Sequence, residues 1–109
     1  MNLNEMTYQQ KRSIVKEIGD AYQRSLRRIE ITEHSGSKYQ HEILKDDYEM
    51  KWFLERALRD CSQESIRILT NDYLKKSDKY WYLNYYATSS YYRLKRKALD
   101  EFLHSIDLN

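Results

Sequence analysis

Ser89, Arg93 and Arg96, with Lys97 beside them, recur at spacings that a helix turns to one side. A guanidinium bonds guanine O6 and N7 in a bidentate fashion and hydroxyls reach phosphates or bases, so the pattern suits the major groove of duplex DNA. Ser90 and Tyr92 belong to the same stretch. Tyr92 lies about 100° from the apolar side, which makes it the ring best placed for exposure. The charge distribution points the same way. Residues 1–60 hold Lys/Arg and Asp/Glu in equal number, whereas residues 75–97 hold Lys75, Lys76, Lys79, Arg93, Lys95, Arg96 and Lys97 against Asp78 alone. Lys75, Lys76 and Lys79 are the candidates for the flanking phosphate backbone.

Other chemistry finds less footing. His34 and His41 flank a polar segment without a tight helical spacing, His104 stands apart, and the single Cys61 excludes an internal disulfide or a site of paired thiolates. Asp46 and Asp47 are adjacent, so on a helix they point about 100° apart and form no acid/base pair. There is no glycine-rich phosphate loop. The chain therefore reads as a non-enzyme without metal or cofactor. Tyr80, Trp81, Tyr82, Tyr85, Tyr86, Tyr91 and Tyr92 suggest a stacking platform for single strands, but a chain of this size needs most of those rings in its core.

The elements that must position these residues are helical. The chain has 109 residues, no Pro, two Gly and a mean hydropathy of −0.96, a composition poor in turn formers. One domain spanning residues 1–109 is expected, all-α, with about five helices. Val15, Ile18, Tyr22, Leu26 and Ile29 recur at steps of 3 or 4 and predict a helix over 4–31. Gly19 inside it implies a close neighbour or a bend. Residues 32–41 read as a loop. Residues 42–106 then form the helical core, with helices over 42–60, from Ser62 to about Lys76, 79–86 and 88–106, the later ones capped by Ser62, Ser77-Asp78 and Thr88-Ser89-Ser90. On the last helix, Ala87, Tyr91, Leu94, Ala98, Phe102 and Ile106 form the apolar face. Trp52, Leu58, Leu69, Leu83, Leu94 and Ala98 are the expected core. The N-terminal stripe should pack across the C-terminal half or join two chains as a homodimer. No run is long enough to span a membrane and no secretion pattern opens the chain, so it reads as cytoplasmic.

Residues 53–103 resemble region four of bacterial sigma factors, a helix-turn-helix domain. Leu54, Ala57 and Leu58 correspond to its opening helix, Ser62 to Tyr73 to the second, Lys79 to Tyr86 to the supporting helix, and Thr88 to Leu103 to the recognition helix with its basic-Ala-Leu segment. Ser89-Ser90-Tyr91-Tyr92-Arg93-Leu94-Lys95-Arg96-Lys97-Ala98-Leu99 is similar to the tyrosine-rich version found in small phage late-transcription regulators and in mycoplasma proteins. The supporting segment departs from the family: Tyr80, Trp81, Tyr82, Leu83 and Tyr85 stand where sigma factors place an acid, Ile and Ala, so its packing must differ. Residues 1–41 have no counterpart and no promoter-melting region is present. The resemblance implies a DNA-binding transcription regulator that uses helix 88–104 for recognition, with RNA polymerase as a further partner. The alternative is a module that docks on polymerase or another regulator without reading DNA.

Overall fold

The computed structural model describes residues 3–36, 42, 44–75 and 77–106. Lys76 and residues 37–41 of the expected 32–41 loop, His41 among them, lie outside them; Thr32–His34, expected in that loop, belong to the first helix. Among the described residues there is no strand, and the architecture is all-α. Four α-helices carry it: α1 Tyr8–His34, α2 Lys45–Arg59, α3 Gln63–Leu69 and α4 Thr88–Ile106.

The first helix begins later than its apolar stripe suggests. Thr7 accepts from the Gln10 backbone N–H at 3.1 Å, and Gln10 accepts in return from the Thr7 N–H at 2.8 Å, a reciprocal cap that fixes the start at Tyr8. Residues Leu3–Glu5 form a separate 3₁₀ turn. The helix α1 buries Val15, Gly19, Ser25 and Ile29, and runs antiparallel to α2. Arg28 and Ser25 both donate to the buried Asp47, while Tyr22 donates to Glu55 at 3.2 Å. The stripe is thus satisfied within the chain, against α2, α4 and the turn after α3.

Ser62 caps α3 as expected, accepting from the Ser65 N–H at 3.3 Å. The helix does not continue to Lys76. Its last turn widens into a π-helix over Thr70–Leu74, closed by the Lys75 N–H on the Thr70 carbonyl. This brings the Tyr73 carbonyl against Gly19, where a Cβ would lie 2.6 Å from the oxygen, and Gln23 Nε2 donates to the same carbonyl at 2.7 Å. Gly19 therefore marks a close approach, one of the two outcomes its position implied.

The expected helix over 79–86 is a single 3₁₀ turn, Trp81–Asn84. A run of aromatic residues has modest helix propensity, and eight residues are too few to hold a helix without packing along one face. Here Trp81 and Tyr82 are both buried, and Leu83 is left 56% exposed. Trp52 is also outside the core, at 60% exposed. Both were expected inside; Leu69 and Ala98 are buried, and Leu58 and Leu94 pack half-buried against the core.

The bounds of α4 agree with its periodicity, but its face is rotated. It buries Tyr91, Lys95, Ala98, Leu99, Phe102 and Leu103, so Tyr91, Ala98 and Phe102 face inward as expected but the inward direction turns by roughly 50° from the expected Ala87, Tyr91, Leu94, Ala98, Phe102, Ile106 face. The first helical bond, from the Tyr91 N–H to the Ala87 carbonyl, places the cap at Ala87 rather than in the Thr-Ser-Ser run.

Candidate nucleic-acid interface

The start of α4 is held by a buried polar hub. Asp72, in the π turn, accepts from Trp81 Nε1 at 2.8 Å and from the Tyr91 hydroxyl at 2.5 Å, and pairs with Lys95 Nζ at 3.1 Å. Lys95 Nζ also donates to the Tyr91 oxygen at 3.3 Å and lies over the Tyr73 ring at 5.3 Å. Burial, with the Asp72 carboxylate beside it, pushes the Tyr91 phenol far above its ordinary pKa. Burial also raises Tyr73 to about 12, with Asp72 adding to the effect. Lys95 counted toward the basic block in the sequence, yet here its charge is spent internally on Asp72. Its position one turn after Tyr91, only 40° away on the wheel, was the signal for this.

Stacked rings extend the hub outward. Tyr82 lies flat on Tyr91 at 3.8 Å between centroids, and Tyr92 meets Tyr91 edge-on at 5.0 Å. Trp81 presents its edge or face to Tyr82, Tyr86 and Tyr91. A cleft of about 560 Å³ opens above these rings, walled by Tyr80 and Tyr92 and reached by Arg12 and Lys16 from α1 and Lys79 from the preceding turn. Arg12 and Lys16 were not singled out in the sequence, where they sit in a stretch of balanced charge.

On α4 itself, Ser89, Tyr92, Arg93, Arg96 and Lys97 are exposed and Ser90 is half-buried. Among the described residues neither Arg93 nor Lys97 forms an ion pair. The two acids of this helix are both occupied. Asp100 pairs with Lys11 at 2.6 Å, and Glu101 accepts from the Ser62 N–H at 2.8 Å and from the Ser65 hydroxyl at 2.6 Å. Burial opposes the charge on Glu101, but those hydrogen bonds outweigh it and lower its pKa.

Arg93 and Arg96 do not share one environment, as the wheel alone suggests they would. The Arg96 guanidinium lies 5.0 Å over the Tyr8 ring, which Arg12 also approaches at 5.6 Å, so Arg96 is tethered to the start of α1. Lys79 joins Tyr92 at the cleft, with its Nζ 5.5 Å from the Tyr80 ring. Lys75 is exposed but is no part of that cleft.

Compared with known proteins, the chain matches no family model, no curated protein and no solved structure. Among the described residues no group of three His, Cys, Asp or Glu could hold a metal ion, and no helix is long and apolar enough to cross a membrane.

Proposed function

We propose that this chain is a DNA-binding transcription regulator that lays the N-terminal half of α4 against the major groove. The observation that carries the reading is the state of the charges on α4: its outward cations Arg93 and Lys97 are unpaired among the described residues, while both of its acids are tied down by Lys11, Ser62 and Ser65. On its Arg93 side this face presents positive charge, as contact with phosphates and guanine edges requires, while Lys97 lies beside Asp100 and Glu101. Arg93 is the base reader. Ser89 and Ser90 sit at the helix start, where free N–H groups favour phosphate. Lys79, Arg12 and Lys16 extend the cationic surface past Tyr92.

Titration of labelled duplexes at two salt concentrations tests this. Binding should weaken steeply with salt. Arg93→Ala should cost about 1–3 kcal/mol and relax preference at one base position, whereas Lys79→Ala should weaken all sequences alike. Salt-insensitive or absent binding would favour the second reading, docking on polymerase or another regulator. That reading draws on the exposed Tyr80, Leu83 and Tyr85, an unusual amount of apolar surface for one turn.

A further inference from the structure

The core takes most of the rings around the start of α4 and leaves two of them in water. Tyr82 and Tyr91 are buried face to face, whereas Tyr80 is 54% and Tyr92 42% exposed. Each outer ring stands 6.5 Å from Tyr82, inclined to it by 62° for Tyr80 and 58° for Tyr92. All three line the cleft of about 560 Å³, a volume within the range of about 300–1,000 Å³ that takes small ligands. Two open rings thus rise at an angle beside a buried one, an arrangement that receives a flat aromatic group.

The charge of the same cleft does not cancel. Asp72 and Lys95 are spent on each other. What remains is Arg12, Lys16 and Lys79 against Asp78, whose Oδ1 accepts from the Tyr80 N–H at 3.3 Å. Among the described residues Arg12 and Lys79 form no ion pair, and Lys16 meets Asp20 at 3.0 Å only on the open surface, where such a pair is weakly held. A simple anion would use these cations and leave the rings in water, and a neutral aromatic would do the reverse. A nucleotide joins a flat base to phosphate and uses both. Cations set on two elements, α1 and the segment before Trp81, suit more than one phosphate.

We propose that this cleft binds an unpaired nucleotide, with its base stacked on Tyr92 and its phosphates on Arg12, Lys16 and Lys79. Tyr92 is the better platform of the two open rings, because the Lys79 ammonium already lies 5.5 Å from the Tyr80 centroid. Bases within a duplex are stacked on one another, so the ligand is a nucleotide of a single strand or a free nucleotide. The inference does not rest on the duplex reading, whose base reader, Arg93, lies outside the cleft. Duplex titrations that fail leave it standing, and its own failure leaves the major-groove reading untouched.

Fluorescence anisotropy of the full chain with a labelled oligothymidylate of about eight nucleotides tests it, beside the same sugar–phosphate strand without bases. The first should bind, and the second at least about tenfold more weakly, since stacking is lost. Tyr92→Ala should bring the two strands to equal affinity, and Tyr92→Phe should keep them apart. Arg12→Ala with Lys16→Ala should weaken both strands and flatten the salt dependence. Competition by thymidine triphosphate separates the two sources. Displacement in the strand's own dissociation range supports a free nucleotide as ligand; displacement only far above it, or none, supports a strand. Equal binding of the two strands by the wild type, binding of neither, or a Tyr92→Ala chain that still distinguishes them would each overturn the proposal. Should circular dichroism show Tyr92→Ala unfolded, Tyr92→Leu takes its place, keeping bulk without a stacking ring: equal affinity for the two strands supports the site, and a preserved difference overturns it.

Discussion

Asp72 ties the π turn to the Trp81–Asn84 turn and to α4 through a single carboxylate. Its two oxygens serve Trp81, Tyr91 and Lys95 at once, and its side chain is only 12% exposed. Removing one partner of a buried charge pair leaves the other charge without compensation, so Asp72→Ala should destabilise the fold by about 3 kcal/mol. Pairing it with Lys95→Met should restore a large part of that loss, because the stranded ammonium goes too. Urea unfolding of the two variants checks this; equal losses would show that the Trp81 and Tyr91 bonds, not the ion pair, dominate. The hub was hidden in the sequence because Asp72 lies outside the basic stretch and 23 residues before Lys95. No local spacing links the two. Arg93, Lys97 and Ser89 were legible because exposure on a helix follows from periodicity alone.

At the scale of the element, Gly19 and the π turn define each other. A Cβ at residue 19 would stand 2.6 Å from the Tyr73 carbonyl oxygen, with the backbone of the 70–74 turn behind it. Alanine in a helix interior is ordinarily favoured over glycine by about 1 kcal/mol. Here the backbone clash outweighs that preference, and Gly19→Ala should destabilise by about 1–3 kcal/mol, as overpacking does. A thermal melt reads the sign directly: a raised midpoint would mean that the turn yields. The long helices α1, α2 and α4 were readable because each has a full amphipathic stripe. The π turn and the 3₁₀ turn at Trp81–Asn84 were not, since both are set by distant partners, Gln23 and Gly19 for one, Asp72 and Tyr91 for the other. The rotation of α4 has the same origin. A lysine counted as polar by its type faces inward because a carboxylate awaits it there.

Across the whole molecule, phenols serve as joints between elements, and this gives the fold a particular response to alkali. Tyr22 links α1 to Glu55 on α2, Tyr73 packs in the π turn beside α1, and Tyr91 ties α4 to Asp72. Burial raises Tyr22 and Tyr73 to about 12 each and Tyr91 still further, with Glu55 or Asp72 adding to it. In the unfolded chain a phenol titrates near about 10. Because the folded values lie above the unfolded one, this contribution to stability is present in full below about pH 10 and is lost as pH rises toward 12 and beyond. The three phenols sit at different contacts of one continuous core, so their ionisation should coincide with cooperative unfolding. Phenolate absorbance and helical circular dichroism should then move together in that window, and Tyr22→Phe with Tyr73→Phe should shift the helix loss to higher pH. Titration of all the tyrosines near pH 10 with helicity unchanged would show that these joints open to solvent without unfolding the chain.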